Sequence, residues 1–188
     1  MDALFSFDLS LFHVINSGLG NPLFDALLPW CREKLFWAPF YLFILAFLSL
    51  NFGKKGIWVA LGMVCCVGLS DFSSNHLFKK RVQRLRPCND PAVAATVQLR
   101  LPACGSGYSF TSAHAANHFA AAVFLIGFLG PLARWVRPAL LTWAGTIALA
   151  QVYVGVHYPS DVLAGGLWGA AMGWWALRTA RWMGIRSL

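Results

Sequence analysis

The sequence predicts an all-α protein: a polytopic membrane bundle of five transmembrane helices, preceded by interfacial amphipathic helices. Three observations lead there. Of 188 residues, 58% are hydrophobic and only 12% charged, half the share of about 25% in a soluble domain. Mean hydropathy is +0.59. Apolar runs of roughly 20 residues, the length that crosses a bilayer, recur five times. No low-complexity run, Gly-X-Y period or heptad series is present, which excludes disordered, collagen-like and coiled-coil classes.

The elements follow in order. Asp2, Asp8, His13, Asn16, Asn21, Pro22 and Asp25 interrupt the first 34 residues too often for a crossing. Ala3–Ile15 and Pro22–Trp30 read instead as short helices lying at the interface. Without a basic start, and with Asp2 and Asp8 in the apolar stretch, this is not expected to be a cleaved leader. The spans are then Leu35–Gly53, Gly56–Phe78 (interrupted by Asp71), Ser112–Gly130, Pro138–Val156 and Pro159–Leu177 (with Asp161 near its start). Residues 1–188 read as one membrane-embedded domain, with 1–34 an interfacial segment and 79–111 an active-site loop.

Fifteen Lys and Arg against seven Asp and Glu give a net charge of +8. A basic excess suits nucleic acid, anionic lipid heads or a phosphorylated substrate; in so apolar a chain nucleic acid is the weakest of these. Five spans put the termini on opposite sides. One side receives Lys54, Lys55, Arg134, Arg137, Arg178, Arg181 and Arg186; the other receives Arg32, Lys34, Lys79, Lys80, Arg81, Arg84, Arg86 and Arg100. The counts nearly tie under the positive-inside rule. The crowding of five cations into Lys79–Arg86 looks chemical rather than topological, so the tail is expected in the cytoplasm and the 79–111 loop outside.

Cys31, Cys65, Cys66, Cys88 and Cys104 lack the paired spacing of a zinc site. Cys88 and Cys104 bracket the long loop, and both a disulfide and two free thiols remain open for them. Asp71, Asn75 and Lys79 share one helical face at i, i+4, i+8. Gly165, Gly169 and Gly173 form a small-residue stripe suited to close helix packing, and the tryptophans near the span ends suit aromatic belts.

Three polar clusters meet one membrane face. Lys79–Pro87 (KKRVQRLRP) leaves the second span. Ser109–His118 (SFTSAHAANH) enters the third, where Ser109 or Thr111 can cap the helix and leave Ser112 and His114 in a first turn whose amides and dipole favour anions. Gln151–Asp161 (QVYVGVHYPSD) joins the fourth and fifth, with Pro159 at the first helical position and Asp161 within reach of His157. Together they gather two histidines, an aspartate, several cations and a helix N-terminus around one cavity.

Lys79-x6-Arg86-Pro87, Ser112-Ala-His114 and His157-x3-Asp161 resemble the three-part signature of the type 2 phosphatidic acid phosphatase superfamily, and Val152–Gly165 (VYVGVHYPSDVLAG) is especially similar. Two departures stand out. Thr111-Ser112-Ala113-His114 replaces the usual Pro-Ser-Gly-His, and Ala150-Gln151 replaces a Ser-Arg. The resemblance implies metal-independent, cofactor-free hydrolysis through a phosphohistidine. His157 is then the nucleophile and Asp161 accepts its other N–H. His114 protonates the leaving oxygen and later activates water. Lys79, Arg86, Ser112 and the amide near Ala113 hold the nonbridging oxygens. Arg84 is the expected source of the charge missing at Gln151, which then bonds the phosphate or that arginine. His118 is assigned to packing; Tyr108, Tyr158 and Asn117 are candidate pocket walls.

A site at the membrane surface favours a membrane lipid phosphate as substrate, with no nucleic acid and no obligatory protein partner. For a bacterial inner-membrane enzyme with a periplasmic site, undecaprenyl diphosphate leads. Phosphatidylglycerol phosphate, phosphatidic acid and lipid A compete. A non-catalytic anionic-lipid binder or carrier is the alternative of a different class, and phosphate release separates the two.

Overall fold

The computed structural model describes residues 3–185; Asp2 and the tail cation Arg186 lie outside the described residues. Every regular element is helical. Helix α1 (Ala3–His13) runs into a π turn over Val14–Gly18, and α2 (Pro22–Cys31) starts on an Asn21 cap that accepts from the Phe24 amide at 3.0 Å. Along α1 and the π turn that continues it, the inward positions are Asp8, Phe12 and Asn16, four apart, while Leu4, Phe7, Leu11 and Val14 face outward. Asp8 and Asn16 therefore point into the protein, while an apolar stripe faces lipid.

Asn16 anchors the segment. Its amide donates to the carbonyls of Gln98 at 2.9 Å and Tyr153 at 2.8 Å, and its oxygen accepts from the Gln98 amide. Asp25 accepts from Tyr153 Oη at 2.7 Å and from Arg100. Residues 3–31 are thus bolted to the long loop and to the end of a later helix.

A 3-10 turn (Lys34–Trp37) leads into α3 (Ala38–Ser73). This helix is two arms, 38–52 and 54–73, because Gly53 takes φ 54° and ψ −131°, a conformation that penalises any Cβ. The arms fold back so tightly that a Cβ on Gly56 would collide with the Leu48 carbonyl. The second arm continues as a π segment (Ser74–Lys79) and one turn, α4 (Lys80–Val82), ended by left-handed Gln83. The loop beyond contains 3-10 turns at Pro87–Asn89 and Ala94–Thr96, and Cys88 and Cys104 are joined in a disulfide. Helices α5 (Ala113–Leu129), α6 (Val136–Tyr153) and α7 (Pro159–Trp182) complete the chain.

The five apolar runs of the sequence coincide with the two arms of α3 and with α5, α6 and α7, each shifted by a few residues at its ends. Helix α5 is central, packed on α3, α6 and α7. The core joins Leu48, Val59, Phe124, Leu125, Phe128 and Ile147. Gly165, Gly169 and Gly173 press directly onto the carbonyls of Ser112, Ala116 and Ala120, so any Cβ there would clash. The small-residue stripe is thus what brings α7 against α5. Outward-facing Leu42, Phe43, Leu50, Trp58, Leu61 and Phe72 would be untenable in water and suit a bilayer.

Candidate active site

His157 sits in the short turn between α6 and α7 and is almost fully buried. Gly155 makes the turn possible: its φ is 90°, and a Cβ there would lie 2.7 Å from Val97. Asp161, in the first turn of α7 and fully buried, is the hub beside it. Its Oδ2 accepts from the Tyr158 amide at 2.8 Å and from Ser109 Oγ at 2.5 Å, and its Oδ1 accepts from Arg84 at 2.8 Å. The His157 Nδ1 to Asp161 Oδ2 separation is 3.7 Å, an ion-pair rather than a hydrogen-bond distance. Ser109 Oγ lies between them, 3.3 Å from His157 Nδ1. Nδ1 is therefore turned to Ser109 and Asp161, leaving Nε2 for a reacting partner.

The N-terminus of α5 faces the same turn. The cap is Ser112, one to three residues later than Thr111 or Ser109. Its hydroxyl accepts from the Ala115 amide at 3.4 Å, and its own amide donates to the Asp161 carbonyl at 3.0 Å. Ala113 and His114 then occupy the first two helical positions, whose amides have no acceptor within a helix.

A polar cavity of about 370 Å³ opens here, lined by His114, His157, Ala113, Lys79, Arg86, Arg32, Lys34, Asp71 and Asn75 among others. Arg86 is held by the carbonyls of Ser106, Gly107 and Val156 at 3.4–3.5 Å. Asp71 accepts from Asn75 at 3.0 Å and Asn117 at 2.9 Å, tying α3 to α5. Burial, and then the neighbouring Arg86, hold the Lys79 ammonium below the usual lysine range. Burial likewise keeps the His157 imidazole below its ordinary value, opposed by Asp161. A neutral imidazole amid cations is set up to attack an anionic electrophile.

Adjoining it is an apolar groove of about 440 Å³ between the arms of α3 and helices α5 and α6, lined by Tyr41, Ile44, Val64, Leu125 and Trp143 among others. Lys34 and Asp71 line both spaces. His118 belongs to the groove: it bonds the His114 carbonyl at 2.7 Å and Tyr41 Oη at 3.0 Å, edge-on to Trp143.

Lys79, Arg86, Ala113, His114 and His157 meet in one cavity, with Asp161 and Ser112 directly behind it. Arg84 differs from its expected position. It does not line the cavity, because Asp161, Ser160 at 2.7 Å and Asp8 at 2.7 Å occupy its donors while its guanidinium stacks on Tyr158 at 3.8 Å. Gln151 is also outside the cavity, fully buried, with neither amide atom hydrogen-bonded. Tyr158 is a buried wall of the Asp161 environment, its hydroxyl 3.2 Å from Asp90. Sequence reasoning did not single out Arg32, Lys34 or Asp8 for the site, and offered Ser109 only as a helix cap. The only signal for the first two is two cations abutting an apolar run on the face that carries the motifs.

The PAP2 superfamily model matches residues 55–184. A lipid A 4'-phosphatase of Bacteroides thetaiotaomicron is 35% identical over 84% of this chain and 70% of its own. An undecaprenyl-diphosphatase of Sulfolobus acidocaldarius is 31% identical over 87% and 74%. Among solved structures, a transmembrane PAP2-type phosphatidylglycerolphosphate phosphatase from Bacillus subtilis superposes with a TM-score of 0.73 at 21% identity, covering 97% of this chain and 89% of that one.

Proposed function

The chain belongs to the PAP2 superfamily, as a membrane lipid phosphatase, and we propose that it works through a phosphohistidine on His157 with lipid A as substrate. The observation that carries this reading is the adjacency of the two spaces. A cavity with two histidines and four cations abuts an apolar groove, with Lys34 and Asp71 common to both. An amphiphile with a phosphate at the end of its acyl-bearing part fits that pair.

His157 Nε2 attacks phosphorus as the ester P–O bond breaks, and His114 gives its proton to the departing oxygen. Asp161 and Ser109 hold Nδ1, fixing the tautomer and balancing the charge that grows on the ring. Lys79, Arg86 and the amides of Ala113 and His114 bear the nonbridging oxygens, where charge must be stabilised. Ser112 acts as cap through its hydroxyl and as tether through its amide. Water, deprotonated by His114, then breaks the N–P bond and releases phosphate. These steps use the chain's own cations, with neither metal nor cofactor.

The lipid A assignment is supported by the name of the Bacteroides relative. Undecaprenyl diphosphate is the second reading, favoured by the Sulfolobus relative and by a cation set large enough for two phosphates. The disulfide in the 79–111 loop suits an oxidising compartment, so the site faces the periplasm from a bacterial inner membrane, with the chain crossing five times as one domain. Phosphate release from lipid A, undecaprenyl diphosphate, phosphatidylglycerol phosphate and phosphatidic acid, in detergent with chelator, tests the proposal. The highest kcat/KM is expected with lipid A. Preference for undecaprenyl diphosphate overturns the substrate assignment, and no release from any of the four leaves only an anionic-lipid binder or carrier.

A further inference from the structure

We propose that Arg32, from the N-terminal segment, binds the transferred phosphoryl group as a third cation beside Lys79 and Arg86. It takes the place of the arginine absent at position 151. The inference rests on the reading of the polar cavity as the phosphate site.

Four observations support it. The Arg32 side chain lines the cavity with Lys79, Arg86, His114 and His157, although it lies far outside residues 55–184. Among the described residues its Nε is buried without a hydrogen-bond partner, and its one side-chain partner is the largely exposed Glu33, at 3.2 Å. A desolvated guanidinium N–H is costly unless something accepts from it, and an anion in the cavity would. The backbone around Arg32 is fixed from both sides: Trp37 Nε1 donates to the Cys31 carbonyl at 2.6 Å, and the Glu33 amide to the Trp30 carbonyl at 2.9 Å. The side chain is thus presented by a set frame rather than by a loose tail.

Among the described residues, the cavity sets one carboxylate, Asp71, against four cations, so most of its positive charge is unbalanced. Arg84 already engages Asp161, and the two oxygens of Asp71 accept from Asn75 and Asn117. Burial first, and the neighbouring Arg32 next, hold the Arg86 guanidinium below the usual arginine range. Two like charges facing one cavity are relieved by a doubly charged phosphate between them, and a guanidinium fork suits two of its oxygens. Gln151, sealed behind this cavity, cannot serve that purpose.

Vanadate inhibition and kcat/KM are measured for the full-length wild type, Arg32→Ala, Arg32→Lys and, as a distant control, Arg137→Ala. Arg32→Ala is expected to lose at least tenfold in kcat/KM, about 1.4 kcal/mol, and to bind vanadate at least tenfold more weakly. Arg32→Lys, keeping the charge but not the fork, is expected between the two, and Arg137→Ala at wild-type values. Arg32→Ala within twofold of wild type in both readouts overturns the inference. If Arg32→Ala does not elute from detergent as a folded species, Arg32→Lys decides: vanadate inhibition weakened threefold or more supports the inference, and unchanged inhibition overturns it. A wild type that hydrolyses no lipid phosphate instead overturns the reading on which the inference rests.

Discussion

Arg84 donates to Asp161 Oδ1 at 2.8 Å, so the guanidinium nearest in sequence to Arg86 serves the carboxylate behind His157 rather than the phosphate. Asp161 is fully buried, and removing one partner of a buried pair typically costs about 3–5 kcal/mol because a charge is left uncompensated. Arg84→Ala is therefore expected to lower kcat at least tenfold while vanadate inhibition stays within threefold of wild type. Steady-state kinetics with a vanadate titration checks this, and a parallel loss of vanadate affinity would put Arg84 on the phosphate instead.

Asp8 is the far end of the same chain of charges. It accepts from Arg84 at 2.7 Å, from the Ser160 amide at 2.8 Å and from Ser160 Oγ at 2.5 Å. Asp8→Asn keeps the shape and removes the charge, and is expected to reduce kcat several-fold. Asp8 is expected to support the site through Arg84, so the double variant Asp8→Asn/Arg84→Ala should be no worse than Arg84→Ala alone. Additive losses would mean that α1 supports the site by another route.

Burial keeps His157 below the value of about 6.5 of a free imidazole. The nucleophile is the neutral form, so falling pH removes activity only once it passes the lowered value. With an activated aryl phosphate, whose leaving group needs no proton, phosphoenzyme formation should stay level as pH drops through 6.5 and decline only in more acid solution. A half-loss at or above pH 6.5 that tracks His157 contradicts this. Ser109→Ala, which removes the hydroxyl between His157 and Asp161, should lower the plateau.

Gly169 lies directly on the Ala116 carbonyl, and a β-branched side chain there forces α7 off α5. Gly169→Val is expected to lower the thermal midpoint in detergent, by an overpacking cost of about 1–3 kcal/mol or more. It should also lower activity by separating Asp161 from Ser112. Gly145→Val, where added Cβ atoms meet open space away from both the cavity and the groove, should leave both unchanged. Differential scanning fluorimetry on the two variants makes the comparison.

The bundle was legible because hydropathy alone dictates where helices must cover their backbone in lipid, and each apolar run became a helix. The grouping of Lys79, Arg86, His114, His157 and Asp161 was legible because they sit at fixed short spacings on elements joined by short connections. The misplacements arose where a side chain's direction depends on tertiary contacts. Arg84 follows left-handed Gln83 and its carbonyl accepts from the Ser109 amide at 2.7 Å; this turns it toward Asp161, which no local pattern announces. The cap of α5 moved to Ser112 because its amide is spoken for by the Asp161 carbonyl. Arg32 reaches the cavity only because Asn16, Asp25 and Arg100 tie the N-terminal segment to the long loop, a relation invisible in spacing.

The central claim is that phosphate passes through His157, and rapid-quench trapping of labelled enzyme tests it most directly. Wild type, His157→Ala and His114→Ala are mixed with a labelled, activated aryl phosphate in the presence of EDTA. The expected result is an acid-labile phosphoenzyme in wild type, none in His157→Ala, and a slowly hydrolysed phosphoenzyme accumulating in His114→Ala, since the acid matters little to a good leaving group but water still needs a base. Label retained on His157→Ala, equal loss in both variants, or turnover that EDTA abolishes and magnesium restores would contradict the mechanism.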